Sequence, residues 1–337
     1  MSPRSPEQLC SSEWAFSERS DSGGASGNRV SRRPQRPDKS TTRACYDGVL
    51  RIGIHTSRSK SLEDAALTAH KLGANTFQIF SASPRMWRAG VPDPLDVKRF
   101  RDARTRHDLA PLAIHTNYLV NLATLDPVTR ERSIVSFRGE LDRAATIGAE
   151  YLIVHPGNFK GQSLEQGIAA MVLGLAEAAR GFRAPGLTVL LENTVGSGAQ
   201  IGSKFEQLRM IRDLAARETD LPLGYCLDTC HLLASGYDVA QVAGLKQTVA
   251  AAESVLGLDL VKVIHSNDSR GALNSHLDRH ANIGAGHIGE EGFRQILTHP
   301  KLRDKAFILE TPVDEEGDDK RNVDALKRLS SEKLRTR

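Results

Sequence analysis

From Val49 onward the chain alternates between short β-branched runs and longer stretches of helical period, and this alternation restricts the fold more than any other feature. Eight runs are expected to be strands: Leu50 to Thr56, Thr76 to Phe80, Pro111 to Thr116, Tyr151 to Pro156, Thr188 to Asn193, Leu223 to Thr229, Leu260 to Ser266 and Ala306 to Thr311. Helical stretches lie between them, at Ser61 to Leu72, Pro94 to His107, Pro127 to Ile147, Leu164 to Gly181, Lys204 to Arg217, Val239 to Leu256 and Gly289 to Leu297. Repeated strand–helix units build a parallel sheet covered by helices. Eight of them favour a closed α/β (β/α)8 TIM barrel, with its site at the carboxyl ends of the strands. An open doubly wound sheet is the alternative. It would normally carry a Gly-rich phosphate loop after the first strand, and Ile54-His55-Thr56-Ser57-Arg58 is not one.

At 337 residues and 36.8 kDa the chain is about the size of one such barrel with an added tail. Residues 1–47, rich in Ser, Arg, Gly and Pro, are expected to be a disordered tail, and residues 48–337 the single barrel domain. The tail lacks the apolar middle of a secretory signal, and no run approaches the ~18 apolar residues of a membrane span. Cys10, Cys45, Cys226 and Cys230 are too few and scattered for a disulfide scaffold, which suits a reducing cytoplasm. A net charge of +4 and a pI near 8.9 permit a polyanionic partner without requiring one.

In one of these strands charge arrives only at the end. Leu223-Gly224-Tyr225-Cys226-Leu227 is uncharged, and Asp228 and His231 follow where extended chain gives way to a loop. A carboxylate beside an imidazole suits zinc, manganese or iron. The alternative is an Asp that caps the next helix with a His nearby. The same layout recurs: strand one ends in His55, three in His115, four in His155, five in Glu192, six in Asp228, seven in His265 and eight in Glu310. Two loops add His231 and the segment Asp278-Arg279-His280, whose alternate residues point the same way if extended. One such histidine is more often a hydrogen-bonded core residue. So many polar groups at one buried rim would be costly without metals to satisfy them. Cys226 and Cys230 could be sulfur ligands, but the surrounding candidates are nitrogen and oxygen donors. His70, His107 and His299 fall on or beside helices away from the rim and read as surface residues.

The motifs Ile114-His115-Thr116-Asn117-Tyr118-Leu119-Val120-Asn121-Leu122, Val154-His155-Pro156-Gly157, Leu191-Glu192-Asn193-Thr194, Leu227-Asp228-Thr229-Cys230-His231, His265-Ser266-Asn267-Asp268, Asp278-Arg279-His280 and Ile308-Leu309-Glu310-Thr311 appear in order. Together they resemble the endonuclease IV family, the deoxyribonuclease IV or type 2 AP endonucleases, over about residues 50 to 315. The resemblance implies a barrel with three ions, mostly zinc, with manganese able to take one or more positions. His115, His155 and Glu192 would hold one ion, Glu192 would bridge to a second held by Asp228, His265 and Glu310, and His231, Asp278 and His280 would hold the third.

The implied activity is a hydrolase of DNA base excision repair that cuts the phosphodiester 5′ to an abasic site, leaving a 3′-hydroxyl and a 5′-deoxyribose phosphate. Glu192 would position or deprotonate the attacking water. Arg85, in Ser83-Pro84-Arg85-Met86-Trp87, matches the family loop that enters the minor groove; Tyr118 matches a loop residue at the abasic nucleotide; His55 is expected to be a further DNA contact. The implied partner is double-stranded DNA with abasic sites, without a membrane, acted on by a monomer.

Two departures from the family pattern stand out. The loop after His55 carries Arg58 and Lys60, and Thr116 replaces an acidic residue often found beside the first ligand. His287 reads as a loop residue and not a tenth ligand. The competing enzyme reading is a single-metal sugar isomerase or epimerase of the xylose isomerase type, which would need only Glu192, Asp228, His265 and Glu310. A DNA-binding barrel that keeps its metals without turnover is the non-enzyme alternative.

Overall fold

Hydrophobic runs of four to six residues form the eight staves of a closed parallel barrel: β1 (Arg51–His55), β2 (Thr76–Phe80), β3 (Leu112–His115), β4 (Tyr151–Val154), β5 (Thr188–Glu192), β6 (Leu223–Asp228), β7 (Val261–His265) and β10 (Ala306–Leu309). They are hydrogen-bonded in the order β1-β10-β7-β6-β5-β4-β3-β2, which returns to β1. This computed structural model describes residues 49–58 and 60–331. The tail expected over residues 1–47, with Cys10 and Cys45, lies outside the described residues.

The helices are α1 (Leu62–Lys71), α2 (Pro94–Arg106), α3 (Pro127–Ile147), α4 (Leu164–Ala178), α5 (Phe205–Glu218), α6 (Thr229–Ala234), α7 (Val242–Val255), α8 (Gly289–Thr298) and α9 (Asp318–Ser331). Their starts are written in the sequence. Ser61, Asp93 and Asp126 cap α1, α2 and α3 by accepting an amide of the first turn, and Ser163 with Gln166 forms a capping box on α4. Gly148 ends α3 at φ 84°, a left-handed conformation that favours glycine.

Two apolar layers hold the barrel. Ala113, Ile153, Leu190, Cys226, Val263, Ala306 and Ile308 pack inside it, while the opposite strand faces pack against the helices around Phe77, Phe137, Phe205 and Phe293. Truncating any one of these fully buried phenylalanines to Ala removes about 3–5 kcal/mol.

The structure keeps every expected strand and helix, with ends moved by a few residues, and adds elements. The chain after Asp228 is not the expected loop: it is α6, which Asp228 caps through the amide of His231 at 2.8 Å. A two-stranded ribbon, β8 (Asp268–Ser269) with β9 (His280–Ala281), follows β7. Helix α9, the last element among the described residues, packs against α8 and β1 and buries Val323, Leu326 and Leu329.

Candidate metal centre

The inner layer predicts the site by parity. Side chains alternate along a strand, so the residue two positions beyond an inward-facing one also faces inward. Two positions beyond Ala113, Ile153, Leu190, Cys226, Val263 and Ile308 stand His115, His155, Glu192, Asp228, His265 and Glu310. All six therefore top the barrel interior at the carboxyl ends of their strands.

Their polar atoms converge on Glu192, which is fully buried. Its Oε2 lies 3.0 Å from His115 Nε2 and 3.6 Å from His155 Nε2. On its other side Oε1 lies 3.0 Å from His265 Nδ1, which is 3.2 Å from Glu310 Oε2. Asp278 Oδ1 lies 3.3 Å from His231 Nε2 and 3.8 Å from His280 Nε2. The three sets His115/His155/Glu192, Glu192/Asp228/His265/Glu310 and His231/Asp278/His280 each bring one ligand atom per residue within 4.8 Å of the others. Ligands roughly 2.0–2.2 Å from a shared tetrahedral ion have separations of this order.

Hydrogen bonds behind these groups fix which atom each presents. Nδ1 of His115, His231 and His280 lies 2.8, 2.9 and 3.1 Å from the carbonyls of Thr116, Asn193 and Glu310. A carbonyl only accepts, so Nδ1 carries the hydrogen and Nε2 turns its lone pair to the site. The missing acidic residue at Thr116 is thus without consequence for His115, whose partner is the backbone. His265 is reversed: its Nε2 donates to Gln78 Oε1 at 2.9 Å, leaving Nδ1 free for the site. Gln78 Nε2 in turn contacts Glu310 Oε1 at 2.6 Å and His55 Nδ1 at 3.0 Å. Asp228 is held at Oδ2 by Asn267 Nδ2, 2.6 Å away, while Oδ1 caps α6. The alternatives posed by the sequence, cap or ligand, are thus compatible in one carboxylate.

The donor set fits divalent ions such as zinc. His280 Nε2 is buried without a hydrogen bond, and its neighbours are the carboxylate oxygens of Asp228 at 3.6 Å and Asp278 at 3.8 Å. These gaps are too long for hydrogen bonds and suit an ion between the groups.

The electrostatics agree. Burial lowers His155 and His55 below the ordinary imidazole value. Burial also opposes charge on His231, yet Asp228, Asp278 and Glu192 outweigh it and raise that imidazole to about 10. Against burial, His155 and His265 hold Glu192 well below the usual carboxylate range, and His265 does the same for Glu310. The carboxylates thus stay charged and attract cations, whether protons or metals. Burial pushes the thiols of Cys226 and Cys230 up to about 12, so both stay neutral although they lie beside Glu192/His265 and Asp228/His280.

Seven of the nine candidate ligands, all but Asp228 and His265, line a cavity of about 1160 Å³. One wall carries Tyr118, 66% exposed, with its ring edge-on to Phe80 at 5.3 Å. The Tyr118 amide donates to the carbonyl of Pro84 at 3.1 Å, tying its loop to the one that bears Arg85. Arg85 is exposed beside the cavity, outside its lining. His55 lines the wall, its ring 4.4 Å from Phe80. Arg58 donates to the carbonyl of Ser81 and Lys60 is exposed. His70 and His107 stack on each other away from the site, and His287 is exposed. Gln78, Asn193 and Asn267 escaped the sequence reading. Gln78 could have been found by parity, since it pairs in register with His55.

A family model described as a xylose isomerase-like TIM barrel matches residues 67–331. A protein named "Probable endonuclease 4" from Solibacter usitatus is 65% identical over 285 residues, spanning 85% of this chain and 98% of its own. The chain belongs to the endonuclease IV family. "Endonuclease 4" of Thermus thermophilus is 40% identical over 270 residues, 80% of this chain and 94% of its own. A crystal structure of endonuclease IV from Thermus thermophilus superposes with a TM-score of 0.73 at 37% identity, covering 83% of this chain and 98% of that one. A D-tagatose 3-epimerase-like protein superposes with a TM-score of 0.60 at 17% identity, covering 83% of this chain and 97% of that one, a likeness of fold alone.

Proposed function

We propose that this endonuclease IV family member is a metal-dependent AP endonuclease that hydrolyses the phosphodiester 5′ to an abasic site in double-stranded DNA. The observation that supports the reading is that, with the neutral thiols of Cys226 and Cys230 set aside, nine side chains group into three donor sets, two of which share Glu192. In this reading His115, His155 and Glu192 hold one ion, Glu192, Asp228, His265 and Glu310 a second, and His231, Asp278 and His280 a third, with zinc at most positions and manganese able to substitute. Such ions supply water of lowered pKa and offset charge on the phosphate and the leaving oxygen.

Glu192, buried between His115 and His265, would position the attacking water or take up its proton. The water oxygen bonds to phosphorus, the bond to the 3′ oxygen breaks, and that oxygen takes a proton from solvent to leave as a 3′-hydroxyl opposite a 5′-deoxyribose phosphate. In this reading the exposed side chains of Tyr118 and Arg85 fill the space left by the missing base, where the nucleotide is easier to unstack than an intact one. His55, kept neutral by burial, offers the DNA a hydrogen-bonding group at the cavity wall.

A sugar isomerase needs one ion on Glu192, Asp228, His265 and Glu310, and leaves His115, His155, His231, Asp278 and His280 without a purpose. The test is a duplex with one tetrahydrofuran abasic analogue, with and without a strong chelator, alongside a metal count. Incision 5′ to the lesion, lost on chelation, with about three ions per chain is expected for such a site. One ion or none would turn the reading toward a sugar-converting barrel, and retention of the duplex without nicking toward a binding protein.

A further inference from the structure

Six of the nine candidate ligands stand on or directly after barrel strands and His231 lies on α6, but Asp278 and His280 come from residues 272–280, which are mostly exposed. Asp278 itself has a side chain 50% exposed. The segment is tied to α6 where the Asn274 and His276 amides donate to the carbonyls of Leu233 and Ala234, and His280 Nδ1 reaches the Glu310 carbonyl, but the ribbon that carries His280 has a further anchor on its other strand.

Asp268 is fully buried, and its carboxylate accepts five backbone amides. Oδ1 takes Ser269 at 2.8 Å and Ile288 at 2.9 Å; Oδ2 takes Gly284 and Gly286 at 3.0 Å and Gly289 at 3.2 Å. Converging amides of this kind form an anion nest, here filled by the chain's own side chain. The glycines make the wrap possible. A Cβ on Gly286 would lie 2.4 Å from the Ser269 carbonyl and 2.5 Å from Asp268 Oδ1, and Gly284 adopts φ +86°. Ile288 and Gly289 open α8, which has no side-chain cap of its own, so Asp268 caps it from across the loop.

The same residue begins the ribbon that delivers the ligands: Asp268 pairs with Ala281 and Ser269 with His280. The amide of His287 closes the wrap on the Ser269 carbonyl at 2.8 Å. We propose that Asp268 is a positioning residue that gathers the amides of residues 284–289 and so sets the ribbon carrying His280 and Asp278 toward His231 before any metal binds. The proposal rests on the reading of His231, Asp278 and His280 as a metal site.

Two measurements on the full chain test it. In the chelator-stripped parent, hydrogen exchange at Gly284, Gly286, Ile288 and Gly289 should be as slow as in β7. Rapid exchange there overturns the proposal without any variant. Titration of zinc against a chromogenic chelator then compares the parent with Asp268→Asn, which keeps the size but puts an amide N–H₂ among donors. One ion should bind at least ~10-fold more weakly, the scale for disturbing a ligand's support, with the others unchanged. Gly286→Ala, which crowds the nest from the other side, should give the same selective loss if Asp268→Asn does not fold. Parent-like affinity for every ion in a folded variant refutes the positioning role. A parent that binds fewer than about three ions instead removes the metal-site reading, while the exchange result still judges whether Asp268 holds the loop.

Discussion

Gln78 joins three groups of the site through one buried amide, and its replacement by Leu is the sharpest test of how the site is held. Leucine fills a similar volume but leaves the His265 Nε2 hydrogen without its acceptor at 2.9 Å and removes the donor 2.6 Å from Glu310 Oε1. A buried donor left unsatisfied costs about 1–3 kcal/mol, and a lost bond to a charged group is of similar size. The two losses together should cost the metal-free protein about 2–6 kcal/mol, with the partly exposed His55 left to bond water. The tautomer of His265 is freed as well. With its hydrogen on Nδ1, facing Glu192 and Glu310, it cannot ligate, and the second ion should bind about 10–100-fold more weakly. Urea denaturation of the chelator-stripped protein and chelator competition read the two effects separately. Gln78→Glu is the control: it keeps the acceptor for His265 but sets a second carboxylate against Glu310, so metal-free stability should still fall. A Gln78→Leu protein with the parent's urea midpoint and metal affinity would refute the reasoning.

Glu192→Gln keeps shape and removes the charge, so incision should fall by at least about 10²-fold while the ion at His231, Asp278 and His280 stays bound, as checked by single-turnover kinetics and metal analysis. Tyr118→Ala should leave the urea midpoint close to the parent's, because only the edge contact to Phe80, about 0.5–1.5 kcal/mol, is lost. Its binding of an abasic duplex should weaken by about 1–3 kcal/mol, the scale of an aromatic stacking group, seen in KM more than in kcat. The metal-free protein should also lose stability as pH rises. His231 is raised to about 10 when folded against about 6.5 unfolded, so its stabilising proton is fully held below 6.5 and lost toward 10. Metal displaces that proton, so the difference in melting temperature between loaded and stripped protein should widen over the same range.

The barrel was legible because its strands are short and mostly apolar and the helices between them begin at signals such as Ser61, Asp93, Asp126 and Ser163, which agree with the global fold. The cluster of candidate ligands was legible because a polar residue at the end of a buried strand is costly unless a partner satisfies it. Gln78 was not, since one amide within Thr76-Phe77-Gln78-Ile79-Phe80 is uncharged and sits short of the strand's end. Helix α6 escaped because six residues show too little periodicity and its cap doubles as a candidate ligand. The β8–β9 ribbon pairs only two residues on each side and is specified by the amides around Asp268, a nonlocal feature without a sequence period. Helix α9 was missed because a largely polar segment hides the three apolar residues that bury it.

The two-residue step between the inner apolar layer and the ligands separates what can drift from what cannot. Lengthening the stretch that bears Arg85, or trading Met86 and Val91 at the cavity mouth, would reshape which nucleic acid fits and leave the ions where they are. Inserting one residue between Cys226 and Asp228 would swing the carboxylate out among the helices, undoing a candidate metal position and the start of α6 at a stroke.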